Sequence, residues 1–182
     1  MADLTGRMIG AMKADVKTLT EIEADPSALG QAVTVIVIAG IASLVGNVFR
    51  AGVIVGVTSL IASLLGYALF SFLVFLIGTK LMPEPATKAD FSEAFRVIGF
   101  AASPGVFNVL AIIPILGPLI SFLVGIWSLV IAVVAVREVL DYSNTGRAII
   151  VCLIAAVICW FVLFILLLPL FAAAFLARAA VG

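Results

Sequence analysis

Residues 97–136 read VIGFAASPGVFNVLAIIPILGPLISFLVGIWSLVIAVVAV, forty positions without one charged side chain. A membrane-crossing helix needs about 20 mainly apolar residues, so this run holds two crossings. The segment Pro114-Ile115-Leu116-Gly117-Pro118 stands where a turn would divide them. Working outward, the charge-free run 51–79 is 29 residues, enough for one long or tilted helix and too short for two. The runs 26–49 and 148–177 supply one crossing each. The expected spans are therefore about 31–49, 53–79, 95–113, 118–137 and 148–171, five in all, within a membrane domain covering 26–178. The fold class is all-α: a polytopic membrane protein.

Composition leads to the same class. The 182-residue chain is 65% hydrophobic and 11% charged, against roughly 45–50% and 25% in soluble domains. A soluble globule of this size has too much surface to hide so much apolar material. Net charge is zero, with 10 basic residues, which argues against a nucleic-acid partner. Histidine is absent, which removes Ser-His and Cys-His pairs, histidine metal clusters and imidazole proton shuttles.

Charge also predicts orientation through the excess of basic residues in cytoplasmic loops. With five spans, one side holds Arg7, Lys13, Lys17, Lys80, Lys88, Arg96, Arg137 and Arg147, and the other holds Arg50 and Arg178. Eight against two puts the N-terminus in the cytoplasm and the C-terminus outside, in the cell's inner (plasma) membrane. Residues 1–25 lack the apolar centre of a secretory signal. Leu4, Met8, Ala11, Met12, Leu19 and Ile22 fall on one helical face, with Arg7, Lys13 and Lys17 on the other. That pattern predicts an amphipathic interfacial helix on the inner leaflet, interrupted by Asp15 within its apolar stripe; a solvated tail is the alternative. Asp25-Pro26 reads as a cap followed by proline at the first helical position.

In lipid, helices associate through small residues and polar contacts. Gly52, Gly56, Ser59, Ser63 and Gly66 form one seam; Gly117, Ser121, Gly125, Ser128 and Ala132 form another; Ala39, Ala42, Ser43 and Gly46 mark the first span. These predict tight packing within the chain or self-association between copies, with a binding groove as the other reading. Pro104 removes a backbone hydrogen bond from the third span, so a kink is expected there. Asn108, one turn on, is either interhelical glue or a ligand contact. Cys152 and Cys159 lie seven residues apart, roughly 10 Å along a helix, beyond disulfide reach.

No aspartate or glutamate falls within a span, so an intramembrane aspartyl site has no residues, and no metal motif or cofactor site is visible. The chain reads as a non-enzyme. Its polar material gathers at the cytoplasmic rim. Asp90-Phe91-Ser92-Glu93 has the spacing of a capping box, and Arg96 lies three residues beyond Glu93, placed to pair with it. Arg137, Glu138 and Asp141 close the fourth span and Arg147 opens the fifth. Glu93, Arg96, Arg137, Glu138, Asp141 and Arg147 are candidate contacts for a protein partner or anionic headgroups, or simple anchors that hold the spans in register.

The run Phe91-Ser92-Glu93-Ala94-Phe95-Arg96-Val97-Ile98-Gly99-Phe100-Ala101-Ala102-Ser103-Pro104 resembles the start of the membrane core of the Yip family, the Ypt/Rab-interacting proteins. Gly99, Phe100 and Pro104 stand where eukaryotic members carry a Gly-Tyr-x-x-x-Pro-like element. Ile113-Pro114-Ile115-Leu116-Gly117, Trp127, Arg137 and Ser143 to Ala148 are similar to bacterial and archaeal members, and the resemblance covers roughly residues 10–170. It implies a non-enzymatic integral membrane protein of five spans. Eukaryotic relatives bind prenylated Rab GTPases in vesicle traffic or membrane shaping. Their long cytosolic region with its Asp-Leu-Tyr-Gly-Pro element is absent, and phenylalanine replaces tyrosine at Phe100, so Rab binding does not transfer. The sequence thus predicts a scaffold or adaptor working through its cytoplasmic rim, with lipid or small-solute handling as the alternative and membrane lipids as partners in either case.

Overall fold

The computed structural model describes residues 3–113 and 115–179. Pro114, assigned a turn and packing role, lies outside the described residues, as does the side chain of Arg178 used in the charge partition. The described chain is helical. Two short helices, α1 (Leu4–Met12) and α2 (Val16–Ala24), precede the long helices α3 (Ala28–Ala51) and α4 (Val53–Leu76). A π-turn, Ile77–Leu81, extends α4. Then come α5 (Phe91–Phe100), a 3-10 segment (Ser103–Ile112), α6 (Gly117–Val139) and α7 (Thr145–Ala179). Four helices are long and apolar enough to cross a membrane, or five if α5 and the 3-10 segment, bent by 41° to one another, count as one crossing.

Helix boundaries follow local chemistry. Only Gly52 separates α3 from α4, and its φ of 93° is a conformation that glycine adopts without strain. The capping box closes at α5: Asp90 accepts from the Glu93 N–H, and Glu93 accepts from the Asp90 N–H, each at 2.8 Å. That bond occupies Glu93, so the expected Glu93–Arg96 pair does not form. At the end of α6, Tyr142 N–H donates to the Arg137 carbonyl and Asp141 N–H to the Glu138 carbonyl. Asp141 takes the left-handed position between them, φ 52°, which completes a Schellman cap.

The N-terminal segment differs from the single helix expected. Asp15, which interrupted the apolar stripe, is instead the N-cap of α2, accepting from the Thr18 N–H at 3.1 Å. A second Schellman turn, with Ala14 at φ 52°, ends α1. The two helices form a hairpin whose apolar side lies on the bundle, with Ala11, Leu19 and Ile22 fully buried. Arg7, assigned to the polar face, is 4% exposed, because α2 and the start of α3 fold over it. Asp25 also caps differently: it accepts from the Ser27 N–H and hydroxyl, and α3 begins at Ala28 rather than at Pro26.

The packed core lies at the end of the bundle that carries this hairpin, hereafter the rim end. Leu73, Val74, Ile77, Val136, Val139, Leu140, Val151 and Cys152 form one cluster there, and Leu19, Ile22, Val35, Ile36, Val97 and Phe100 form another. At the opposite end, near Gly52, α4 and α6 each pack on α3, α5, α7 or the 3-10 segment and scarcely on each other.

Candidate functional site

The rim residues separate into three groups. Arg147 belongs to a strap between the 82–90 loop and the α6–α7 turn. Its Nε lies 3.4 Å from Glu84 Oε1, its Nη1 donates to the Pro83 carbonyl, and its guanidinium sits 5.9 Å from the centre of the Tyr142 ring. Glu84 also accepts from the Ser143 N–H, which, with Arg147, holds its carboxyl below the usual glutamate range. Arg96, 6% exposed, donates to Ser92 Oγ and to the Glu23 carbonyl of α2. Arg137 is exposed and, among the described residues, reaches only Thr145.

Glu93, Glu138 and Asp141 do come together, with a residue the sequence reading passed over. Glu23 of α2 joins them around one open depression of about 340 Å³. None of the four forms an ion pair among the described residues. Burial, then the neighbouring Glu93, Asp141 and Glu138 carboxylates, push the Glu23 carboxyl up, with Arg96 opposing. The arrangement suits a cation and repels anionic headgroups.

The second constellation is inside the bundle. Helix α5 ends at Phe100 and the chain continues as the 3-10 segment, with Pro104 in its first turn. Three residues per turn stack Gly105, Asn108 and Ala111 in one column, and this column faces α3. A Cβ on Gly105 would lie 2.6 Å from Ala39 Cβ; one on Gly46 would lie 2.2 Å from the Asn108 carbonyl oxygen and 3.1 Å from Ala111 Cβ. The backbones therefore approach as closely as glycine permits. Gly99 approaches Ala32 and Gly117 approaches the Ala111 carbonyl in the same way, Phe100 is fully buried, and Pro118 stands in the first turn of α6.

That docking places Asn108 against a cavity of about 460 Å³. Ser43 and Asn47 of α3, Ser59, Ser63 and Tyr67 of α4, and Ser121 and Ser128 of α6 line it. The seams close by contact at their glycines, Gly56 against Val48 and the Leu44 carbonyl of α3 and Gly117 against the Ala111 carbonyl, while their serines line this space, because α4 and α6 stand apart. Gly125, in the middle of the α6 seam, has nothing within 4 Å of where a Cβ would be. Asn108 donates to Ser43 Oγ at 3.2 Å, while its buried Oδ1 has no partner among the described residues. Asn47 donates to Ser59 Oγ and accepts from Arg50. Along α3 the cavity runs from Asn47 to Ala39, eight residues or about 12 Å. Eight polar side chains at that depth are costly unless hydrogen-bonded. Ser59 donates to the Val55 carbonyl and Asn47 to the Ser43 carbonyl, which leaves Asn108 Oδ1 as the buried atom among them without a partner.

The family model described as Yip1 domain matches residues 9–168. The chain belongs to the Yip1 domain family. No curated protein and no solved structure matches it. Yip1 proteins are membrane proteins not known as enzymes, and the described residues contain no cluster of three His, Cys, Asp or Glu able to hold a metal ion. Of the matched stretch, Gly99, Phe100, Pro104 and Asn108 build the α5 to 3-10 turn on α3. The family match and the cavity therefore share one element.

Missed by sequence reasoning were Glu23, Arg7, Arg50 and the cavity hydroxyls. The serines were visible as seams; nothing in their spacing distinguished a closed seam from an open one.

Proposed function

We propose that this Yip1-family protein is a non-enzymatic membrane protein that handles a lipid or small polar solute between its helices. One observation carries the reading: a polar cavity bounded by α3, α4, α6 and the 3-10 segment, with the buried Asn108 Oδ1 unpaired. An unpaired buried acceptor costs on the order of 1–3 kcal/mol, and an apolar side chain there would avoid that cost. In purified-protein vesicles the reading expects solute uptake or lipid movement above that of protein-free vesicles, reduced by Asn108→Leu. Equal rates in loaded and empty vesicles would overturn it.

The membrane arrangement proposed with it has five spans within 26–178, the N-terminus in the cytoplasm and the C-terminus outside the plasma membrane. The eight-to-two partition of basic residues supports this. Reporter fusions at the two ends should report opposite sides.

The scaffold or adaptor reading, with a protein partner at the cytoplasmic rim, is favoured by a different observation: four carboxylates in one depression, none in an ion pair among the described residues. It expects a basic partner, lost with Glu138→Gln and Asp141→Asn while the protein still inserts. Arg96 and Arg147 support it less: Arg147 is tied to Glu84 and Pro83, and Arg96 is buried with Nη1 and Nη2 engaged within the chain, its Nε alone lacking a partner among the described residues. Self-association through the seams would require α4 and α6 faces free of the cavity's contents.

A further inference from the structure

The polar cavity has a neighbour on α4. Ala62, Ser63 and Tyr67 also line a second hollow of about 310 Å³ in the cleft between α4 and α7. There the walls change character: Phe70, Trp160 and Leu163 join Ser63, and Leu163 comes so close to α4 that a Cβ on Gly66 would lie 3.3 Å from its Cδ1. A free polar solute would satisfy the first hollow and leave the second empty, and a hydrocarbon would do the reverse. A molecule with a polar head and an apolar tail fits both.

Resting on the reading that a ligand sits between the helices, we propose that the two hollows together hold one phospholipid. Its headgroup occupies the Asn108 cavity and an acyl chain lies along the α4–α7 cleft. The headgroup must bring a hydrogen-bond donor, because Asn108 Oδ1 is an unpartnered acceptor. Ethanolamine and glycerol headgroups carry N–H or O–H donors; choline carries none. Arg50, on the last turn of α3, supplies the cation for the phosphate. It donates to the cavity residue Asn47 at 2.6 Å, and no acidic side chain pairs with it among the described residues. Inside the polar cavity the walls carry hydroxyls and amides and no carboxylate, so nothing repels the phosphate.

The test is native mass spectrometry of the full chain in detergent, with equimolar phosphatidylethanolamine, phosphatidylglycerol and phosphatidylcholine of identical acyl chains. Both donor-bearing lipids should be retained about tenfold over the choline lipid, the effect of one satisfied buried acceptor. Asn108→Leu should bring the three to parity with a melting temperature that holds or rises slightly, and Arg50→Gln should lower retention of all three. Gly66→Leu, which narrows the apolar cleft, should also lower all three and leave the headgroup ratio unchanged. Parity in the wild type, or a preference that survives in Asn108→Leu, would overturn the proposal. Displacement of lipid by inorganic phosphate alone would assign the site to the free anion and also overturn it. Transport in vesicles made only of choline lipid, with parity in this test, would retain the broader reading and reject the headgroup. Lipid preference without any transport would do the reverse.

Discussion

At the rim end, Arg7 is 4% exposed and every nitrogen of its guanidinium is engaged: Nε and Nη2 on Glu21, Nη2 also on Asp25 at 2.6 Å, and Nη1 on Gln31 at 2.8 Å. Toward the Gly52 end, Asn108 uses its amide nitrogen and leaves its buried oxygen with nothing. Both groups are polar, and both are shielded by helices of the same chain. A closed network holds structure together, whereas an open one reserves bonding capacity for something else. The contrast extends to packing: valine and leucine fill the rim half, and serines surround space in the other.

Breaking the closed network should have the largest effect. Arg7→Leu removes the cation from Glu21 and Asp25; as both are partly exposed, about 2 kcal/mol of stability should be lost, less than for a fully buried pair. Thermal unfolding should shift down and amide exchange in α1 and α2 should rise. An unchanged melting temperature would mean that the hairpin is held by Ala11, Leu19 and Ile22 alone. Gly46→Ala should follow at about 1–3 kcal/mol, since its Cβ would meet the Asn108 carbonyl, which is backbone and cannot swing away. Its cost would be read by the same melt.

Asn108→Leu sharpens the comparison. Removing an unpaired acceptor should alter stability by less than about 1 kcal/mol, and in the stabilising direction, while transport or lipid retention falls. Arg7→Leu should show the opposite pattern. Acid should also act on one region only. The Ser27 hydrogen bond, then Arg7, hold the Asp25 carboxyl down to about 2 from 3.8. A depressed folded value means that stabilisation is present above 3.8 and is lost as pH falls through about 2. Hairpin exchange should therefore rise across that window, and this dependence should be weaker in Arg7→Leu. Smallest of all, Gly125→Ala adds a methyl into open space and gains helix propensity, so the melting temperature should hold or rise slightly.

The long helices were legible because charge-free runs of defined length leave little choice in lipid, and the Asp90–Glu93 box because capping is local. Asp15 was legible as a fault in the apolar stripe but not as a cap, which depends on the chain turning back at Ala14. Arg7 read as solvent-facing because a helical wheel ignores what later folds over it. Glu93 and Arg96 were matched by spacing, yet a cap and the Glu23 carbonyl competed for them. The cavity was the least legible. Its wall depends on a 3-10 winding that aligns Gly105, Asn108 and Ala111, whereas helical reasoning at 3.6 residues per turn spreads them apart. The seams were seen as small residues; that α4 and α6 stand apart is a property of the whole bundle.

The most direct test of the central claim is whether water-soluble reagents enter the cavity. Cys152 and Cys159 would first be replaced by alanine, and Ser63→Cys and Leu64→Cys made separately in that background. Ser63 lines the cavity, while Leu64, one residue on, is exposed on the outer face of the helix. In membranes, a charged maleimide should label the position-63 thiol several-fold faster than the position-64 thiol, and Gly125→Leu should slow it. Equal and negligible labelling at both positions would mean that the serines face a dry, closed seam, and the account of an open polar site would be wrong.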